Sequence, residues 1–200
     1  MMLALAGLLL SGCVGAPEMT LSTANAEVAR SSAPAMRWDF RPEAQEWTAA
    51  TLRALRGHGA ALSGTVPRDI DRFCPAYKGA DTAQRNLFWS GLLSALAKYE
   101  STWNPRASGG GGLWLGLLQI DPRTARGYGC RAQSAAALFD GAQNLSCGVR
   151  IAAAQVSRDA EIVGGPGRWR GLGRDWAPFR KPKAVADMAA WTRAQDYCRG

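Results

Sequence analysis

Residues 81–125 read DTAQRNLFWSGLLSALAKYESTWNPRASGGGGLWLGLLQIDPRTA, and this stretch decides the fold. Asp81-Thr82-Ala83-Gln84 fits a capping box, with Asp81 as N-cap and Gln84 at the third helical position. Leu87, Phe88, Leu92, Leu93 and Leu96 then recur at helical spacing. Pro105 disfavours a helical residue before it, so the helix is predicted to end between Glu100 and Thr102. Leu93, Leu96 and Glu100 are spaced i, i+3, i+7, which places a carboxyl on the buried stripe at the helix C-terminus. The helix dipole and partial burial both disfavour a negative charge there, so the pKa of Glu100 is expected to rise. A carboxyl kept protonated near neutral pH is what a general acid needs. On pattern alone, a surface glutamate at a frayed helix end is the stronger reading.

The residues beyond Glu100 reverse that preference. They form an ordered set: Glu100-Ser101, Asn104-Pro105, Ala107-Ser108, the glycines 109–112, Gly116-Leu117-Leu118-Gln119-Ile120, Pro122 and Thr124-Ala125. Asn144 and Gly148 follow in Asn144-Leu145-Ser146-Cys147-Gly148-Val149. In order and spacing the set resembles the soluble lytic transglycosylase family, from about Leu87 to Ala154, roughly a third of the chain. The resemblance implies a goose-lysozyme-like helical fold and cleavage of the β-1,4 bond between N-acetylmuramic acid and N-acetylglucosamine. It implies that Glu100 protonates the leaving oxygen and then deprotonates the muramyl 6-hydroxyl, closing a 1,6-anhydro ring. It assigns substrate binding to Ser101, Ser108, Leu117, Leu118, Gln119 and Asn144. Ser108 and Gln119 would hydrogen-bond the sugars, while Ser101 and the Leu117-Leu118 turn would shape the groove. No nucleophilic carboxylate is required, whereas a two-carboxylate glycosidase needs a second acid. Asp121 is the one other acid in the matched stretch, and its position before Pro122 suits a helix N-cap.

The chain departs from the family in two places: Asp121 stands two after Gln119, where members usually carry Met or another apolar residue, and one later segment differs. Many members carry Ala-Tyr-Asn-Ala-Gly, where this sequence has Ile162-Val163-Gly164-Gly165-Pro166-Gly167. Trp169 and Trp176 are candidates to fill that space, but an indole donates a hydrogen bond and accepts none. Two rival readings follow. One is a lysozyme-like muramidase on the same fold, with water in place of the 6-hydroxyl. The other is a catalytically weak lipoprotein that binds or assembles peptidoglycan.

Outward from this centre the pattern stays helical. Pro42 suits a first-turn position, and Trp47, Leu52 and Leu55 suggest an apolar face before the Gly57-His58-Gly59 stop. Residues 64–80 read as irregular around Cys74, and Asp121-Pro122 opens a short helix ending near Gly129. A buried helix is predicted over Asn144–Val156, loop over 166–183, and a closing helix over Ala184–Cys198 with Met188 and Trp191 facing inward. No strand of convincing length and no repeat is visible. The fold class is mainly α, one lysozyme-like domain over residues 37–200 after an N-terminal tether.

The N-terminus points to export. Leu3 to Leu10 is too short to span a bilayer and reads as the apolar part of a secretory signal. It runs into Leu10-Ser11-Gly12-Cys13, which resembles the bacterial lipobox. Residues 1–12 are read as the signal peptide and Cys13 as the lipidated residue. Val14 after it, rather than Asp, favours an outer-membrane anchor facing the periplasm, held by two or more acyl chains. Residues 13–36, rich in Ala, Ser, Thr and Pro, form a flexible tether spanning on the order of 25–30 Å.

Four further cysteines, Cys74, Cys130, Cys147 and Cys198, suit disulfides in an exported chain and allow three pairings. Cys130 follows the Tyr128-Gly129 turn and Cys147 lies in the next long helix, so a bridge between them closes a local loop. Cys74 and Cys198 then pair by elimination. No C-x-x-C occurs and His58 lies far from any cysteine, so neither metal nor cofactor is expected. Lys and Arg outnumber Asp and Glu, 24 to 16, and the resulting +8 favours polyanionic surfaces. The basic residues are scattered, without a basic helix or aromatic RNA-binding signature, which argues against nucleic acid. A wall polymer with free carboxylates fits, met by a monomeric protein. Some of the eight tryptophans are expected to line a carbohydrate groove and others to fill the core.

Overall fold

The computed structural model describes residues 35–165 and 167–199. The expected signal peptide, Cys13 and the tether as far as residue 34 lie outside the described residues. The packed chain already includes Met36, which is buried and donates its N–H to Asp39 Oδ2 at 2.7 Å. The next residue, Arg37, donates its N–H to Ser94 Oγ at 2.8 Å.

Seven α-helices are described: α1 (Ala44–Arg56), α2 (Ala60–Gly64), α3 (Thr82–Ser101), α4 (Pro122–Gly127), α5 (Ala135–Leu138), α6 (Gly141–Asp159) and α7 (Pro182–Arg193). The capping box opens α3 in both directions. Asp81 Oδ1 accepts from the Gln84 N–H at 2.8 Å, and Gln84 Oε1 accepts from the Asp81 N–H at 3.2 Å. The apolar residues of α3 do more than form one stripe. Phe88, Trp89, Leu92, Leu93, Ala95 and Leu96 are all fully buried, so the helix is covered on every side over its middle turns. Helices α1 and α7 pack against α3, and α6 packs against α1. Each large apolar side chain that this central helix withdraws from water contributes about 1.5–3 kcal/mol to stability.

The buried face of α1 runs through Trp47, Ala50, Thr51, Ala54 and Leu55, whereas Leu52, expected inward, lies at its edge. Helix α1 begins at Ala44, so Pro42 precedes it rather than occupying its first turn. Segment 64–80 contains two 3₁₀ turns, Ile70–Arg72 and Pro75–Lys78, on either side of Cys74. Helix α6 begins three residues earlier than expected because Asp140 caps it, accepting from the Gln143 N–H at 2.9 Å. Segment 166–183 holds 3₁₀ turns at Leu172–Arg174 and Ala177–Arg180, and α7 starts at Pro182. The chain closes with a 3₁₀ turn, Asp196–Cys198.

Two disulfides fasten the domain, and they follow the expected pairing. Cys130–Cys147 joins the segment after α4 to α6, across 17 residues. Cys74–Cys198 ties the 3₁₀ region to the last turn, across 124 residues. By loop-closure entropy they stabilise the fold by about 3 and about 5 kcal/mol respectively. One feature was not expected. A two-residue hairpin, β1 (Ser108–Gly109) with β2 (Trp114–Leu115), pairs Ser108 with Leu115 and Gly109 with Trp114.

Candidate active site

Helix α3 ends at the site. Thr102 and Trp103 both adopt left-handed backbone conformations, at φ 50° and 56°, and turn the chain away immediately after Ser101. Glu100 is therefore held in the last turn of a rigid, buried helix. Its side chain is half-buried, and desolvation pushes its pKa up to about 7, well above the usual 4.5. The cations Lys181 and Arg180 oppose that rise without cancelling it. Among the described residues no hydrogen bond or ion pair engages the carboxyl. Glu100 thus lies close to half-protonation near neutral pH and can both give and take a proton.

The turn after β2 is fastened to the end of α3 by side chains that satisfy its backbone. Ser101 Oγ lies 2.9 Å from Leu117 O and 3.1 Å from Ala97 O, and its one proton is shared between the two carbonyls. The Trp176 indole N–H donates to Leu118 O at 2.9 Å. Asn144 accepts from the Leu118 N–H through Oδ1 and donates through Nδ2 to Leu115 O and Leu138 O, each at 2.9 Å. Gly116 makes this bracket possible. Its φ is +74°, and a Cβ there would stand 2.1 Å from Leu138 O and 2.4 Å from Asn144 Nδ2. Gly148 likewise lets the turn rest on α6, since a Cβ would stand 2.2 Å from Leu118 Cδ1.

The side chains of Asn144, Leu117 and Leu118 are fully buried. They support the turn from behind, and the Leu117 and Leu118 carbonyls and the Leu118 N–H that it presents would otherwise be buried unpaired. Ser101 is spent on the same fastening. Gln119, at φ 47°, donates its amide to Ala107 O at 3.1 Å and Gly116 O at 2.9 Å. Its Oε1 faces Gly109, where a Cβ would stand 2.6 Å away. Among the described residues its amide oxygen accepts no hydrogen bond. Ser108 is exposed on β1, joined to the turn by its pairing with Leu115.

Asp121 caps α4, accepting from the Arg123 N–H at 2.7 Å, and the Arg123 guanidinium beside it lowers its pKa. That engagement leaves Glu100 as the acid at the site with a raised pKa. Among the described residues no group of three His, Cys, Asp or Glu side chains is placed to hold a metal ion.

Lys181 and Arg180, not among the expected site residues, come to Glu100 from a segment some eighty residues away that carries no local signal for the site. The tryptophans divide as their surroundings dictate. Trp38, Trp47, Trp89 and Trp176 are buried in the core. Trp114 and Trp169 are more than half exposed, Trp114 beside Gln119 and Trp169 stacked on Arg180, whose Cζ lies 3.8 Å from the ring centroid. In the segment that departs from the family, Ile162 and Val163 donate their N–H groups to Asp69, at 2.8 and 2.9 Å. Trp176, a candidate to fill the tyrosine's place, instead lies behind the turn.

The chain matches the family model for the transglycosylase SLT domain over residues 80–159, which spans from the α3 cap to the end of α6. It is similar to solved structures of Bd0314 DslA. A glutamate-to-glutamine mutant of that protein is 32% identical, with a TM-score of 0.74, covering 80% of this chain and 95% of that one. Its wild-type form 2 is 31% identical, with a TM-score of 0.73 and the same coverage. A second glutamate-to-glutamine mutant is 30% identical, with a TM-score of 0.75, covering 82% of this chain and 97% of that one. No curated protein sequence matches the chain.

Proposed function

The chain belongs to the transglycosylase SLT domain family, and from that premise we propose that it is a peptidoglycan lytic transglycosylase with Glu100 as its acid and base. The observation that carries this reading is the half-buried Glu100 carboxyl in the last turn of a fully packed helix, where desolvation raises its pKa. In the first step Glu100 gives its proton to the oxygen between N-acetylmuramic acid and N-acetylglucosamine, and the bond from that oxygen to the muramyl C1 breaks. The acetamido oxygen of the sugar stabilises the positive C1. Lys181 and Arg180 stabilise the carboxylate now present on Glu100. In the second step that carboxylate takes the proton of the muramyl 6-hydroxyl, and its oxygen bonds to C1 as the 1,6-anhydro ring closes. The proton returns to Glu100, so no second acid is consumed. The engagement of Asp121 as a helix cap supports a single-carboxylate mechanism. Incubating purified sacculi with the wild type and with Glu100→Gln tests the assignment. Muropeptides are released by the first alone; release by both contradicts it.

The lipobox-like Leu10-Ser11-Gly12-Cys13 and the two disulfides support an exported protein, lipidated at Cys13 and held on the outer membrane facing the periplasm. Cys13→Ser is expected to move it out of the outer-membrane fraction; a wild-type protein lacking acyl chains contradicts the reading.

A further inference from the structure

A concavity of about 410 Å³ lies between α1 and the first half of α6, and none of its lining residues belongs to the surroundings of Glu100. Arg53 enters it from α1, Arg150 from α6, and Arg131 from the segment after α4. No carboxylate lines it. Arg37, Arg41, Arg68, Arg123 and Arg174 each meet an acid within 4 Å. None of the three guanidiniums in the concavity has a salt-bridge partner among the described residues, and what sets them apart from other unpaired arginines is that they share one pocket. Three converging cations without a counter-charge repel one another and leave a focused positive potential that an anion relieves.

The walls are braced. The Cys130–Cys147 disulfide holds Arg131 against α6. Across the opening, His58 Nε2 donates to Ser146 O at 2.9 Å and fixes the turn after α1 to the same helix. The floor is apolar, made of Ala50, Ala54, Ala132 and Ala142 beside the disulfide. A braced pocket loses little freedom on binding, and its volume suits a small ligand. Guanidinium forks match carboxylates in paired hydrogen bonds, and an alanine floor accepts methyl groups. A ligand that combines several carboxylates with methyl side chains answers both features, whereas a bare phosphate answers only the first.

We propose that this pocket binds the carboxylate-bearing stem peptide of peptidoglycan, apart from the glycan-cleaving site. The choice of ligand rests on the function proposed above, but the binding itself involves no glycosidic bond. The pocket holds the peptide independently of the glycan-cleaving site.

The test is titration of the full chain, in detergent, with a sugar-free stem tetrapeptide, followed by calorimetry. Saturable binding is expected. It is expected to weaken at least tenfold in the Arg53→Gln, Arg150→Gln double variant, with an unchanged melting temperature, and at least tenfold when the peptide carboxylates are amidated. Absence of saturable binding overturns the proposal, as does equal affinity for the amidated peptide or displacement by an equal concentration of inorganic phosphate. Since Glu100 plays no part in the titration, a failure here leaves the cleavage assignment standing, and an inactive enzyme that still binds the peptide leaves the pocket standing.

Discussion

Replacing Glu100 by glutamine is expected to change how stability depends on pH, by an amount that the burial of the carboxyl sets. Its pKa rises from about 4.5 in the unfolded chain to about 7 in the fold. Folding therefore favours the protonated carboxyl. That contribution is fully present below about pH 4.5 and is lost as pH rises through about 7. A rise of about 2.5 units at 1.36 kcal/mol each corresponds to roughly 3 kcal/mol lost between pH 4 and pH 8. Glutamine does not titrate, so Glu100→Gln is spared that loss. For a domain of this size, about 2–4 °C per kcal/mol makes the variant gain roughly 6–12 °C of melting temperature over the wild type from pH 4 to pH 8. Every other titrating group is common to both proteins and cancels in the difference. Thermal unfolding of the pair at several pH values reads it directly. Parallel curves, with a constant offset, would refute the claim that Glu100 is held partly desolvated.

Asn144→Ala leaves the Leu118 N–H and the Leu138 carbonyl without a partner in a fully buried place, while the Leu115 carbonyl keeps the Ile120 N–H at 2.9 Å. Urea unfolding is expected to show a loss of about 2 kcal/mol or more, and a loss below about 0.5 kcal/mol would show that the amide does not hold the turn. Asp121→Asn retains the cap, so muropeptide release is expected to stay near the wild-type rate. A folded but inactive Asn variant would make Asp121 catalytic.

The end of α3 is legible in the sequence because its signals are local. The box Asp81–Gln84 starts the helix, Pro105 limits it, and the spacing of Leu93 and Leu96 places Glu100 on its packed surface. The cysteine pairing is legible for a similar reason, since one pair is close along the chain and settles the other. The hairpin is not legible, because two residues are too few to alternate and its turn rests on glycines at positive φ. Nor can spacing separate a side chain that touches substrate from one that supports the turn behind it. That Asn144 and Leu118 are fully buried is visible only in the packed structure. Lys181 and Arg180 reach Glu100 through tertiary packing, a relation that no pattern along the chain encodes.

The central claim is that Glu100 closes a ring on the sugar it has just released. Digestion of sacculi in water enriched in oxygen-18, followed by mass spectrometry of the muropeptides, tests it most directly. The account predicts terminal muramyl residues lighter than the reducing sugar by one water and free of the heavy isotope. Reducing-end muramic acid carrying one oxygen-18 would show that water attacks C1 and would contradict it.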